Sequence, residues 1–285
     1  MAMAAAVALI LAGTAALAQV VERRSDTTAQ VDVAMPPDPP GPLYMLPAEL
    51  DDVTFRHAWR DTWELPDESS PSILLLGRPD GAGFVDLVQI GLMTWPPPEV
   101  DHWNTIDLDG QIMHVTDTLF PQAAREEGGW WITATARQLD AATAVLAVVG
   151  REPDGALTVS SDVGLTEIDR YEMPSTAAHA TYVEASSGGV VYIVETASGY
   201  LGNVSVVADR IEPTEIGGVR AWLVQSEGVD PSAPGFVWRA TPNRIVAVSA
   251  ETDVETLRAF AERLVPVSAA EWEAAVPDLE ILTTS

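Results

Sequence analysis

The sequence predicts an α+β protein: two tandem copies of an antiparallel β-sheet unit, each closed by an α-helix, after an N-terminal apolar helix and a Pro-rich spacer. Three observations lead there. The chain echoes itself: Tyr44-Met45-Leu46-Pro47 is followed seven residues after its proline by Thr54-Phe55, and Tyr171-Glu172-Met173-Pro174 is followed at the same distance by Thr181-Tyr182. A constant offset of 127 relates these sets, and such self-similarity marks a duplicated unit. Many segments alternate apolar and polar residues, the pattern of half-buried strands. Each copy then ends in a stretch whose apolar residues recur at helical spacing.

Residues 2–21 carry no charge. Read as a signal peptide, Ala4 to Leu11 is the apolar core, Gly13 the helix breaker and Ala16-Leu17-Ala18 a small-x-small cleavage site. Read as a membrane anchor, the run has the roughly 20 residues that span a bilayer. No basic flank precedes it, so the start is expected to lie upstream. Residues 22–43 form a linker, in which Pro36 to Pro42 favours polyproline II, a stiff spacer rising about 3.1 Å per residue. The expected location is the cell membrane, single-pass with an extracytoplasmic C-terminal domain, or secretion after cleavage near Ala18.

The first unit spans 44–152. Val53, Phe55, His57 and Trp59 alternate with Thr54, Arg56 and Ala58 as a half-buried strand. Ser72 to Leu76 and Phe84 to Leu92 flank a Gly77 to Gly83 hairpin turn, and Ile112 to Val115 and Trp130 to Thr135 continue the sheet. Leu139, Ala142, Val145, Leu146 and Val149 share a helix face, with Gly150 as terminator. A connector, 153–170, leads to the second unit, 171–285. Its strands are expected over 180–185, 190–196, 203–208, 219–225, 236–240 and 245–249, the last pair turned by Pro242-Asn243. Thr252 and Glu255 form a capping box for a helix whose face holds Val254, Leu257, Phe260, Ala261 and Leu264. Ser268 to Ala274 reads as a short final helix.

Composition excludes several function classes. The chain holds 42 acids against 15 bases, a formal net charge of -27, so it lacks the clustered basic face that nucleic acid requires. Every base is Arg; without Lys there is no P-loop lysine, Schiff base or Ser-x-x-Lys dyad. Without Cys there are no thiol nucleophiles, disulfides or cysteine-ligated zinc. No Gly-x-Ser-x-Gly, His-Glu-x-x-His or Gly-x-Gly-x-x-Gly occurs. Asp107-Leu108-Asp109-Gly110 has Ile112 where a calcium loop needs its glycine, and reads as a turn. His57, His102, His114 and His179 share no ligand spacing, and His114 approximately answers Trp222. The expectation is a protein that is not an enzyme and has no cofactor or metal.

One segment stands out because the second copy lacks it. Trp95-Pro96-Pro97-Pro98-Glu99-Val100-Asp101-His102-Trp103 has a stiff proline core and a tryptophan at each end. Trp95, Pro96, Pro97, Pro98 and Trp103 form a candidate partner-binding loop; the alternative is that both rings fold back to cover the sheet.

Ala261-Glu262-Arg263-Leu264-Val265-Pro266-Val267-Ser268-Ala269-Ala270-Glu271-Trp272, together with the apolar segment and spacer, resembles the extracytoplasmic part of uncharacterised actinobacterial envelope proteins, some attached to anti-sigma-factor modules. The resemblance covers residues 44–275 loosely. The chain departs from anti-sigma proteins in having no His/Cys zinc module. The expected function is therefore non-catalytic binding or sensing in the envelope, with another envelope protein as partner. The alternative is a carrier of a hydrophobic small molecule or lipid in a cleft of the sheet.

Overall fold

The structure, a computed structural model, describes residues 44–63, 72–108, 110–117, 121–152, 156–160, 163–172, 178–186, 189–196, 208–226, 234–241, 244–276 and 279–283. The apolar segment 2–21, the linker 22–43, the Pro242-Asn243 turn and most of the strand expected over 203–208 lie outside the described residues. Strands β1 (Tyr44–Pro47), β2 (Thr54–Trp63), β3 (Ser72–Asp80), β4 (Gly83–Met93), β5 (Asn104–Leu108), β6 (Gln111–Thr116), β7 (Gln122–Glu127) and β8 (Trp130–Ala136) lead to helix α1 (Leu139–Val148). Next come β9 (Val149–Arg151), β10 (Leu157–Val159) and β11 (Thr166–Glu172). Then β12 (Ala178–Ser186), β13 (Val190–Thr196), β14 (Arg210–Ile216), β15 (Val219–Gln225), β16 (Gly235–Thr241) and β17 (Arg244–Ala250) lead to α2 (Val254–Ala261). Strand β18 (Leu264–Val267), helix α3 (Ala269–Ala275) and β19 (Leu279–Thr283) follow.

This corrects the α+β expectation. Among the described residues the fold is mostly β, its helices are 10, 8 and 7 residues long, and fifteen strands join in one sheet. It is not a pair of separate units, because strands assigned to different copies hydrogen-bond to each other. The order β3-β4-β8-β7-β6-β5 in one half of the sheet recurs as β12-β13-β17-β16-β15-β14 in the other. The offset of 127 does not relate these halves. β2, expected to match β12, lies beside it as an antiparallel neighbour, with Trp59 opposite Tyr182. Adjacent strands of one sheet share the alternating pattern without being equivalents, which is why the sequence comparison aligned them.

The flanking strands are exchanged. β2, which precedes the first half, extends the second through β12, whereas β11, which precedes the second half, extends the first through β3. The small ladders β1–β18 and β10–β9 follow the same rule. The halves join along β4: Val88 to Met93 pair with β8, Phe84 and Val85 pair with β14, and β3 takes the opposite edge. Asp86, with φ of 49°, marks the bend between these pairings. Gly83 is required at the joint, where a Cβ would come within 2.4 Å of the Ile211 carbonyl oxygen.

Strand alternation separates three cores. Leu74, Leu76, Val88, Ile90, Ile132 and Ala134 face outward from the first half onto Val145 and Leu146 of α1. Phe236, Trp238, Val246 and Val248 face outward from the second half onto Leu257, Phe260 and Trp272 of α2 and α3. Between the halves lies a central core containing Ile73, Leu75, Leu87, Val194, Ile211, Val237, Ile245 and Ala247. Phe84 meets Trp222 there, with ring centroids 5.9 Å apart. Each fully buried aliphatic or aromatic side chain contributes roughly 1.5–3 kcal/mol, so stability resides in these layers rather than in the helices.

Helix ends differ from expectation in detail. α2 is capped by Asp253, whose carboxylate accepts the Thr256 N–H at 2.9 Å, not by Thr252. α3 carries a full Ser268–Glu271 capping box. α1 does not terminate at Gly150, which already belongs to β9. Its final carbonyls are instead met by the buried Arg125 of β7, which donates to Leu146 O and Val149 O at 2.5 Å each.

Candidate functional site

The tryptophan-bounded segment is a crossover. β4 and β5 run in the same direction but are separated by β8, β7 and β6. Residues 94–103 must therefore traverse four inter-strand gaps, about 19 Å in all. Ten residues reach at most about 35 Å, so the link passes directly over a sheet face. Trp95 packs against the central core, which makes this the inner face; α1 covers the other. Pro97 and Val100 are buried, Pro96 is exposed, and Trp95, Pro98 and Trp103 are half-buried. Glu99 adopts φ of 55° and opens a short 3-10 turn over Val100–His102. The Trp103 N–H then donates to the Val100 carbonyl at 3.1 Å.

This crossover is not peculiar to the first half. The corresponding link, residues 197–209, also joins parallel strands, and its Ala208 reaches the central core. The face beneath does differ. Gly91, Thr133, Ala124 and His114 form a row across β4, β8, β7 and β6. Trp131 stands beside that row, its ring centroid 5.7 Å from that of His114. The corresponding row in the second half is Val194, Ala247, Val237 and Trp222, apolar throughout and part of, or packed on, the central core.

Charged groups stitch the scaffold. Arg210 on β14 pairs with Asp80 and Glu212, and these hydrogen bonds raise its pKa. Arg263 is likewise raised by its bidentate contact with Asp52. Asp253 and Glu271 are lowered, chiefly by the Thr256 and Ser268 hydroxyls that they meet at helix starts. Tyr171 is raised by burial, against the opposing influence of Arg239. Arg244 and Glu195 form a buried pair at 3.4 Å on the outer face of the second half.

Comparison with protein-family models, curated proteins and solved structures finds no match. Among the described residues no group of three or more His, Cys, Asp and Glu could hold a metal ion, and no helix is long and apolar enough to cross a membrane. Asp107 accepts the Gly110 N–H at 2.8 Å, the geometry of a turn.

One feature escaped the sequence. β5 ends the sheet, and no described strand pairs with its outer edge. The Asp109-Gly110 turn signals a hairpin, yet only topology reveals which of its strands is terminal.

Proposed function

We propose that the protein is a non-catalytic extracytoplasmic envelope protein, tethered by or exported with its apolar N-terminal segment, that binds partner proteins on the surface of its β-rich body. The observation that carries this reading is how the body receives the spacer. Immediately after the proline-rich stretch, β1 pairs with β18. Arg263 then grips the connection to β2 through both Asp52 carboxylate oxygens, at 2.9 and 2.6 Å, and through the Glu49 carbonyl at 2.6 Å. A clamped strand directly after a proline-rich stretch suits presentation of a folded body outside a membrane. The displaced pKa values belong to capping, clamping and core groups, which favours a scaffold role over acid–base chemistry.

The carrier alternative is less favoured. The space between the inner faces is occupied by Ile73, Leu75, Leu87, Val237 and Ile245, so a hydrophobic ligand would have to displace packed side chains. Fractionation of cells expressing the full-length gene with a C-terminal tag tests the main reading. The tag should be cleaved by protease added to intact spheroplasts; complete protection would overturn the extracytoplasmic assignment.

A further inference from the structure

We propose that the open edge of β5, together with Trp103, accepts an extended, basic strand from a partner protein. The inference deepens the binding-protein reading above, and it begins with a strand addition already present in the molecule. By strand order and register, β5 corresponds to β14, so Trp103 corresponds to Ile211 and Thr105 to Pro213. At β14 the edge is occupied: Arg210 and Ile211 pair with Val85 and Phe84 of β4. Ile211 is fully buried by this addition, and Phe84 rests against Trp222.

At β5 the same edge is vacant among the described residues. Trp103, already extended at φ -75° and ψ 153°, is only half-buried. The His114–Trp131 ring pair occupies the positions that Trp222 and Ile245 hold at the filled joint. An incoming apolar side chain therefore meets rings here as Phe84 does there.

The hydrogen bonds are available as well. Only two residues separate β5 from β6, so Leu108 and Gln111, opposite each other in the ladder, form its closing hydrogen-bonded pair. By alternation, the N–H and C=O groups of Thr105 and Asp107 point outward. In β14 the slot corresponding to Thr105 is Pro213, which has no N–H, and the ladder with β4 stops at Ile211. Thr105 imposes no such stop, so a longer ladder can form along Trp103 to Asp107.

Charge selects the occupant. Glu99, Asp101 and Asp107 are exposed along this margin, and the formal net charge of -27 repels a second copy. A strand carrying Lys or Arg is attracted instead, while backbone pairing and the ring pocket fix its register.

The test uses purified protein and a capped peptide, Lys-Gly-Phe-Val-Lys-Leu-Val-Lys, which places the β4 segment with Asp86 replaced by lysine between terminal lysines. Binding should slow amide exchange at Trp103 to Asp107. Thr105→Pro, which copies Pro213, should weaken it at least tenfold with an unchanged melting temperature. A peptide N-methylated at alternate residues should lose affinity similarly, a control independent of the variant's folding. Equal binding by Thr105→Pro and wild type, protection elsewhere, or no binding would overturn the proposal. So would a concentration-dependent dimer abolished by Thr105→Pro, which would identify a second copy as occupant. Because the assay is done in solution, its failure is distinguishable from a wrong cellular compartment.

Discussion

Arg239 on β16 donates to both carboxylate oxygens of Asp169 on β11, at 3.1 and 3.0 Å, and so ties one half of the sheet to the other across the central core. The two residues are 70 apart in sequence, and neither half can shift relative to the other without breaking the pair. Replacing Asp169 by Asn should cost about 1–2 kcal/mol, the range for a hydrogen-bonded, partly buried charge pair. Chemical denaturation of both single variants and the double variant measures the coupling; strict additivity would show that the pair does not link the halves.

The same contact sets an alkaline limit. Burial raises the Tyr171 phenol and Arg239 draws it back. A raised folded-state pKa keeps its stabilisation below the unfolded value, about 10, and loses it as pH climbs through the folded value. Arg239→Gln should raise Tyr171 further and make unfolding more sensitive to pH above about 10. Spectroscopic titration of tyrosinate in the variant and wild type reads the shift, and an unchanged curve would refute it.

At the acid end the sign reverses. Asp253 and Glu271 are held below the usual carboxylate range by their capping hydrogen bonds. Their stabilisation is present above the unfolded values, about 4, and is lost as pH falls through the lowered ones. Asp253→Ala and Glu271→Gln should therefore flatten the acid limb of the melting temperature plotted against pH. Both should retain the wild-type alkaline limb.

Arg125 substitutes for a helix terminator. With Gly150 drawn into β9, the carbonyl of Leu146 in α1 and that of Val149 just past its end depend on this guanidinium. Arg125→Met keeps the apolar stem but leaves both carbonyls unsatisfied, at about 2–4 kcal/mol in total. Urea denaturation should place the loss there; a cost below about 0.5 kcal/mol, typical of an ordinary surface change, would reject the capping role.

Local chemistry was legible and long-range pairing was not. The Ser268–Glu271 box, the strand periodicity of Ile132 to Ala136 and the Val254-to-Ala261 face of α2 follow from rules that act over a few residues, whereas Leu264, expected on that face, opens β18. The exchange of β2 and β11 does not, because a half-buried strand reads the same whichever neighbour it joins. Phe55 and Tyr182 were aligned as repeats, yet their strands are neighbours in one ladder, with Phe55 opposite Ala185 and Trp59 opposite Tyr182. For the candidate site, the sequence exposed the tryptophans of the 94–103 segment but not the crossover they bound. Nor could it show the open edge of β5, which depends on the strand order of the entire sheet.

The two tryptophans should therefore behave differently. Trp95 packs on the central core, whereas Trp103 stands at the unfilled edge. Trp95→Ala should cost about 2–4 kcal/mol, less than a fully buried ring because it is only half covered, and Trp103→Ala should cost about 1 kcal/mol. In variants retaining one of these rings as the reporter, acrylamide should quench Trp103 more strongly, and the basic peptide should shield Trp103 alone. Removing 96–102 tests the crossover itself. The remaining Thr94, Trp95 and Trp103 reach only about 10 Å, too short for the roughly 19 Å between β4 and β5. The deletion should unfold the first half even with a pair of bridging glycines. A cooperative, wild-type melting transition would show that the segment is a dispensable surface loop.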